Sequence, residues 1–233
     1  MADTKSTRKP DWRNNVTWYT HETRFTRLAK AVVKPVIYSI GRVDCAGLEN
    51  VPTHGPAILS ANHFSLFDVL YLGVSVPRHP HYMAKKELYR NRLFGWTIRQ
   101  FGSFPVYRGE ADTWALEQAG RVLHDGSTLF MFPEGTRSKT AALKRGKAGV
   151  VMLALEFQAP IMPVAVWGTE KLKLGWKRTQ VHISFGQPFD AVAAAGPPPY
   201  KHEAYRNVTT LMMKRIAAMM PAEYHGFYAD SEA

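Results

Sequence analysis

The chain of 233 residues has one cysteine, Cys45. A lone cysteine cannot close an internal disulfide, and Cys45 stands in no Cys-x-x-Cys or Cys/His spacing. A disulfide scaffold and a cysteine-rich zinc site are therefore excluded, and a reducing, cytosolic compartment fits best. Long hydrophobic runs are missing as well. The most apolar stretch, 148–167, is interrupted by Glu156, Gln158, Pro160 and Pro163. It reads as a buried helix, a turn and a buried strand, not as a bilayer span, so any membrane contact is expected to be peripheral. The start, MADTKSTRKPDWRNN, has no apolar h-region, and a secretory signal is not expected. Acids are scarce: 19 Asp+Glu face 30 Lys+Arg, a formal net charge of +11. Such an excess calls for an anionic partner, whether nucleic acid, an anionic membrane surface or a phosphorylated substrate. Nucleic acid is disfavoured, because no recognisable module or aromatic platform for it occurs. Apolar material is not lacking, at 45% of the chain, and at this length it supports one sizeable core and argues against disorder.

The charge is unevenly placed. Residues 1–42 hold nine bases (Lys5, Arg8, Lys9, Arg13, Arg24, Arg27, Lys30, Lys34, Arg42) against three acids, an excess of six in less than a fifth of the chain. Within this arm Phe25, Leu28, Ala29, Val32, Val33, Val36, Ile37 and Ile40 form one continuous helical stripe, with Arg24, Arg27, Lys30 and Lys34 off it. Pro35 removes a backbone donor and predicts a kink or a split into two helices. Such a stripe packs either on a core or in a membrane interface, bases toward anionic headgroups. Trp12, Trp18 and Tyr19 upstream are amphipathic aromatics that suit the interfacial depth.

From residue 43 onward, short apolar runs alternate with amphipathic stretches. Strands are predicted at 43–48, 57–62, 81–84, 103–107, 128–132, 161–167 and 181–185, and helices at 67–76, 92–101, 113–125, 148–158 and 201–220. Gly102, Gly126 and Pro77 sit where helix stop signals belong. The alternation predicts an α/β sheet flanked by helices. Residues 191–199, AVAAAGPPP, read as a loop. The division expected is a basic arm, 1–42, followed by one domain, 43–233.

The chemistry gathers at predicted strand ends. The run Ala57 to Ala61 leads directly into Asn62-His63-Phe64-Ser65-Leu66-Phe67-Asp68, a strand-to-helix turn of the kind where α/β proteins place their sites. Asp68 is five residues beyond His63. It is either an N-cap beside an ordinary polar histidine, or the carboxylate that fixes the imidazole tautomer and leaves its other nitrogen as a base. No Gly-x-Ser-x-Gly elbow occurs, so such a base would deprotonate a substrate hydroxyl, not an enzyme serine. A second constellation, Phe132-Pro133-Glu134-Gly135-Thr136-Arg137-Ser138, follows another strand. Glu134 and Arg137 satisfy each other across the turn, or Arg137 offers its planar fork to a phosphate or carboxylate. A third, Gly102 to Arg108, again ends a strand with an arginine. With Lys139, Lys144, Arg145 and Lys147, the arginines imply an anionic ligand near the His-Asp pair.

The Asn62 to Asp68 block resembles the Asn-His-x-Ser-x-x-Asp block of the PlsC-type glycerolipid acyltransferases, the lysophosphatidic acid acyltransferases. Residues 102–108 are similar to that family's second block, 132–138 match its Phe-Pro-Glu-Gly-Thr-Arg-Ser block, and Ile161-Met162-Pro163-Val164-Ala165 is similar to its fourth. The resemblance covers roughly residues 43–190. Phe104 and Pro105 depart from the more usual second-block residues, which bears on a pocket wall. The resemblance implies a mixed, mostly parallel β-sheet flanked by helices. It implies acyl transfer from acyl-CoA or acyl-carrier protein to the sn-2 hydroxyl of 1-acylglycerol 3-phosphate, with no acyl-enzyme and no metal or other cofactor. Other acceptors within the family would be glycerol 3-phosphate, another lysophospholipid, or an ornithine-lipid or glycolipid precursor.

By the same resemblance His63 is the general base and Asp68 its orienting carboxylate. Asn62, Ser65, Arg108, Glu134, Gly135, Thr136 and Arg137 bind the acceptor, with Glu134 orienting Arg137 or accepting from a glycerol hydroxyl. Lys85, Lys86 and the N–H groups after Gly135 are oxyanion candidates. Leu93, Phe94, Trp96 and Ile98 are candidates for an acyl groove. The arm, residues 12–42, then meets an anionic membrane on the inner face of the cell membrane.

Overall fold

The computed structural model describes residues 11–108, 112–172 and 178–229. Asp3, Lys5, Arg8 and Lys9 of the basic arm lie outside them. A 3-10 turn, Trp12–Asn15, precedes α1 (Arg24–Ile40) and β1 (Gly41–Ala46). Then follow β2 (Ala57–Ala61), α2 (Phe67–Ser75), β3 (Pro80–Lys85), α3 (Arg92–Gln100), β4 (Ser103–Val106), α4 (Thr113–His124) and β5 (Thr128–Met131). The chain closes with α5 (Gly149–Glu156), β6 (Ile161–Trp167), β7 (Thr179–Phe185), α6 (Ala191–Ala195) and α7 (His202–Ala217). Each predicted strand and helix has its counterpart, with no end shifted by more than three residues.

The strands make one sheet in the order β1-β7-β6-β2-β5-β3-β4. β6, β2, β5, β3 and β4 pair parallel, β7 lies antiparallel to β6, and β1 lies parallel to β7. This is the mixed, mostly parallel sheet expected. Its central strands alternate side chains between two cores, as the pleat demands. Ile58, Leu129, Ile161 and Ala165 pack with Val122, Leu123, Leu153 and Met212 from α4, α5 and α7 on one face. Leu59, Phe130, Met162 and Val164 pack with Ile37 of α1 and Tyr71 and Leu72 of α2 on the other. Cover on both faces is why these strands read as apolar runs and not as alternating ones.

Two expectations are corrected. Residues 191–199 are not all loop: Asp190 Oδ1 accepts from the N–H of Val192 at 2.7 Å and of Ala193 at 3.3 Å, and this cap starts α6 in the alanine run. The described part of the arm, residues 11–42, is joined to the body at several points. Thr26 is buried and donates to the carbonyl of Gln100 at 2.6 Å, Tyr71 donates to the carbonyl of Ile37 at 3.0 Å, and Ser127 donates to that of Thr20 at 2.7 Å. Trp18 packs edge-on against Trp114 at 5.5 Å and donates from Nε1 to the carbonyl of Arg13 at 2.8 Å, so it faces the protein and not a bilayer. Pro35 lies inside one uninterrupted α1. Half of that helix's apolar stripe stays in solvent: Phe25, Leu28, Val32 and Val36 are exposed, while Ile37 is buried.

The parallel registers place the site. Ser60 pairs with Met131, Tyr82 with Phe130 and Lys85 with Val106, so the carboxyl ends of β2, β5, β3 and β4 share one edge of the sheet. With neighbouring strands ~4.8 Å apart, the end of β4 lies ~14 Å across that edge from the end of β2.

Candidate active site

β2 ends at Ala61, and the backbone turns at once into α2. Asp68, in the first turn of that helix, is fully buried and gathers the turn around itself. Its Oδ2 accepts from the N–H groups of Phe64 at 2.7 Å and Ser65 at 2.8 Å, and meets His63 Nδ1 at 2.9 Å. The carboxylate thus ties the turn and holds the imidazole; Asp68 lies inside the helix, whose N-cap position is Leu66, so it is not the N-cap that the first reading expected. A carboxylate only accepts, so Nδ1 donates, and in the neutral ring the lone pair is on Nε2. The other oxygen, Oδ1, accepts a hydrogen bond from Thr169 Oγ1. Thr169 is buried just past β6 and was not foreseen. Gly168 delivers it: its φ is +88°, and a Cβ there would sit 2.1 Å from the carbonyl oxygen of Gln180. A glycine directly after a strand was the available signal.

The 132–138 block closes over the same turn. Phe132 stacks on the His63 ring, centroids 4.2 Å apart at 22°, and Ser138 N–H donates to the His63 carbonyl at 2.8 Å. Glu134 is 4% exposed. Its Oε1 accepts from the His63 N–H at 3.0 Å and its Oε2 from the Lys144 N–H at 3.1 Å. This corrects the assignment of Glu134 to acceptor binding: both oxygens hold backbone, and no ion pair joins it to Arg137 among the described residues. Burial pushes the Glu134 carboxyl up to about 6, against the downward pull of the two N–H donors and the Lys144 charge.

Asn62 is a second correction. It is fully buried, donates to the Val166 carbonyl at 2.7 Å and accepts from the Val166 N–H at 2.8 Å. It clamps β2 to β6 and has no face for a substrate. Ser65 is half-buried, and its Oγ accepts from the Phe67 N–H at 3.3 Å, a local turn bond.

Gly135 turns with φ +73°, and its N–H donates to the Phe132 carbonyl at 2.9 Å. Thr136 and Arg137 beyond it are exposed. Lys144 Nζ holds this turn from behind, donating to Thr136 O at 2.6 Å, Thr136 Oγ1 at 2.7 Å and Arg137 O at 3.2 Å. The N–H groups of Thr136 and Arg137 have no hydrogen-bond partner among the described residues. Two adjacent free amides beside an exposed guanidinium suit an anion. Arg108 is exposed at the far end of the same sheet edge. Lys85 is exposed at the end of β3, and Lys86 sits with Nζ 3.9 Å from the Tyr107 ring centroid. Neither lysine makes a hydrogen bond or ion pair with the His63 turn among the described residues. Of the groove residues, Leu93, Phe94 and Trp96 are exposed and Ile98 is half-buried.

A buried carboxylate, an imidazole held on it and a turn with free amides are groups able to take a proton beside an anion. Residues 42–167 match the acyltransferase family. The chain belongs to that family. Its match spans β2 to β6 and so contains both halves of the His63 site. Among known relatives, the 1-acyl-sn-glycerol-3-phosphate acyltransferase of Bacillus subtilis is 30% identical over 186 residues, covering 79% of this chain and 91% of that protein. The enzyme of the same name from Streptococcus pneumoniae is 31% identical over 183 residues, covering 77% and 68%. The crystal structure of the 1-acyl-sn-glycerophosphate acyltransferase PlsC from Thermotoga maritima aligns with a TM-score of 0.64 at 25% identity, over 83% of this chain and 77% of that one. The PlsC-type resemblance read from the four blocks therefore holds, and this acyltransferase carries its sheet, its block order and its flanking helices. No helix among the described residues is long and apolar enough to cross a membrane.

Proposed function

We propose that this acyltransferase moves a fatty acyl group from acyl-CoA or acyl-carrier protein to the sn-2 hydroxyl of 1-acylglycerol 3-phosphate, giving phosphatidic acid at a membrane surface. The observation that carries the reading is the buried Asp68 on His63 Nδ1 at 2.9 Å, beside the free amides of the Gly135 turn. The names of the relatives that cover most of this chain support the choice of acceptor.

In this mechanism Nε2 of His63 takes the proton from the acceptor hydroxyl as its oxygen attacks the thioester carbonyl. The tetrahedral oxyanion meets the N–H groups of Thr136 and Arg137, donors of a kind worth about 3 kcal/mol each elsewhere. The C–S bond then breaks, and the thiolate leaves with the proton returned by His63. Arg137 and Arg108 flank the acceptor phosphate from two positions along the sheet edge. Glu134 braces the backbone beneath the base.

Both acceptor and product live in a bilayer, and the exposed apolar faces of α1 and α3 support docking there. Phe25, Leu28, Val32 and Val36 line α1; Leu93, Phe94 and Trp96 line α3, and Phe25 packs on Trp96 with centroids 5.2 Å apart. Arg24, Arg27 and Lys34 are exposed on the same helix, positioned for anionic headgroups on the inner face of the cell membrane.

The test is an assay of purified protein with radiolabelled acyl donor against a panel of acceptors. Turnover of 1-acylglycerol 3-phosphate above glycerol 3-phosphate and headgroup-bearing lysophospholipids is the expected outcome, and no turnover of it sinks the assignment. His63→Ala should lower the rate by about 10²–10⁴-fold if His63 is the base.

A further inference from the structure

Arg13 belongs to the basic arm, where an arginine reads as a solvated charge. Its side chain is only 6% exposed. The guanidinium donates to Asp11 at 2.6 Å from Nη2 and to Asp112 at 2.7 Å from Nη1. It also lies over two aromatic rings, 4.5 Å from the Tyr107 centroid and 4.4 Å from that of Trp114. A third partner is the Pro105 carbonyl, which accepts from Nη1 at 3.4 Å. A single cation buried between two carboxylates and two rings is a built feature, and both carboxylates are drawn toward ionisation by it.

Its position matters more than its burial. Asp112 Oδ2, which accepts from Arg13, accepts also from the Tyr107 N–H at 2.7 Å. The Tyr107 ring meets two cations, the Arg13 guanidinium and the Lys86 ammonium, the latter 3.9 Å from its centroid. Pro105 and Tyr107 are thus both fixed by Arg13, and the next residue is Arg108. The Arg13 backbone is anchored in turn: its carbonyl accepts from Trp18 Nε1, and Asn14 Oδ1 accepts from Trp114 Nε1 at 2.9 Å.

We propose that Arg13 is a positioning residue of the acceptor site, which sets Arg108 through Tyr107 and Asp112 and so makes the N-terminal segment part of phosphate recognition. The proposal rests on the reading of Arg108 as a phosphate ligand. Lysine does not reproduce this arginine: an ammonium is a point charge without the planar fork that here reaches two carboxylates and lies near two rings.

The experiment uses the full chain and measures KM for 1-acylglycerol 3-phosphate and kcat at saturating acyl-CoA. The variants are Arg13→Lys, Arg108→Ala, the double variant, and Tyr107→Leu, each with a melting temperature. Arg13→Lys should raise the acceptor KM about tenfold with kcat within about twofold, as expected when a binding group is misplaced. In the Arg108→Ala background it should add less than about threefold, because both changes act on one contact. Tyr107→Leu, which keeps the backbone N–H but removes the ring, should raise KM in the same direction and decides the matter if Arg13→Lys does not fold. Unchanged KM in folded Arg13→Lys or Tyr107→Leu, or full additivity in the double variant, overturns the proposal while leaving Arg108 as a ligand. Unchanged KM in Arg108→Ala overturns the Arg108 reading itself, and the proposal with it.

Discussion

Glu134 accepts a hydrogen bond from the backbone N–H of His63 at 3.0 Å, although 71 residues separate them. The glutamate of the 132–138 block is therefore a brace under the candidate base. Glu134→Gln keeps the shape but offers an amide N–H₂ to one of the two backbone donors, so activity should fall and the His63 turn should loosen.

The same residue predicts a pH signature. Its folded-state carboxyl, raised to about 6 from an ordinary 4.5, takes up a proton before the unfolded chain does. Its contribution is most favourable at low pH and is lost as pH rises through about 6, an effect of about 2 kcal/mol. His79 and His81 act oppositely: burial lowers them to about 3 and about 4, so the unfolded chain protonates first and stability falls as pH drops below about 6.5. Two histidines outweigh one glutamate, and the protein should lose stability from pH 7 to pH 5. Glu134→Gln should make that loss steeper. Urea unfolding across this range checks it; an unchanged slope in the variant counts against a buried, titrating Glu134.

Thr169→Val removes the hydroxyl that donates to Asp68 Oδ1 while keeping the side-chain shape. A buried carboxylate that loses one donor is destabilised by about 1–3 kcal/mol, and the imidazole it orients should be less well held. The rate should fall while acceptor KM changes little. Thr169→Ser, which restores the donor, should recover most of it. If Thr169→Val matches the parent in both rate and melting temperature, the Asp68 contact has no role.

Much of this fold was legible because both sheet faces are covered. Short, largely apolar runs such as Ala57 to Ala61 and Ile161 to Val166 fit buried strands by their length and flanking turn residues, and alternation with helices favours a parallel sheet. His63 and the 132–138 block were legible as neighbours for the same reason, since each follows a strand end and parallel strands end at one edge. Side-chain partnership was not. Asn62 looks like a ligand in the linear chain and proves to clamp Val166, 104 residues away. Glu134 beside Arg137 suggests a local pair, and its real partners are backbone groups of His63 and Lys144. Arg13 was missed because nothing local distinguishes a buried arginine from a solvated one, and Thr169 because the one local signal, Gly168 after the strand, marks a tight turn without naming the partner of the next side chain. Their partners, Asp112 and Asp68, are supplied by topology.

Asn62→Ala leaves the N–H and carbonyl of Val166 without partners in a site that water does not reach, and opens a gap between β2 and β6. Each stranded group costs on the order of 1–3 kcal/mol, so the loss of stability should be about 2–5 kcal/mol. Equilibrium unfolding measures it. A loss of activity without a loss of stability would return Asn62 to the substrate.

Removing the whole arm is a poor test of membrane docking, because Arg13, Thr26 and Ile37 are packed into the body and the truncated protein would lose part of its core. Point changes on the exposed row separate the two roles. Leu28 is 69% exposed and Val32 60%, and Leu93 on α3 is 74% exposed. Aspartate at these positions removes no buried contact and should leave the melting temperature within about 1–2 °C, the range of a surface change. Each aspartate carries charge into the acyl boundary and against anionic headgroups, so Leu28→Asp with Leu93→Asp should cut sedimentation with anionic liposomes at least about tenfold. Turnover of acceptor presented in vesicles should drop in step, whereas turnover of a short-chain acceptor in free solution should not. Equal liposome binding by the parent and the double variant would mean that this apolar row does not face the membrane.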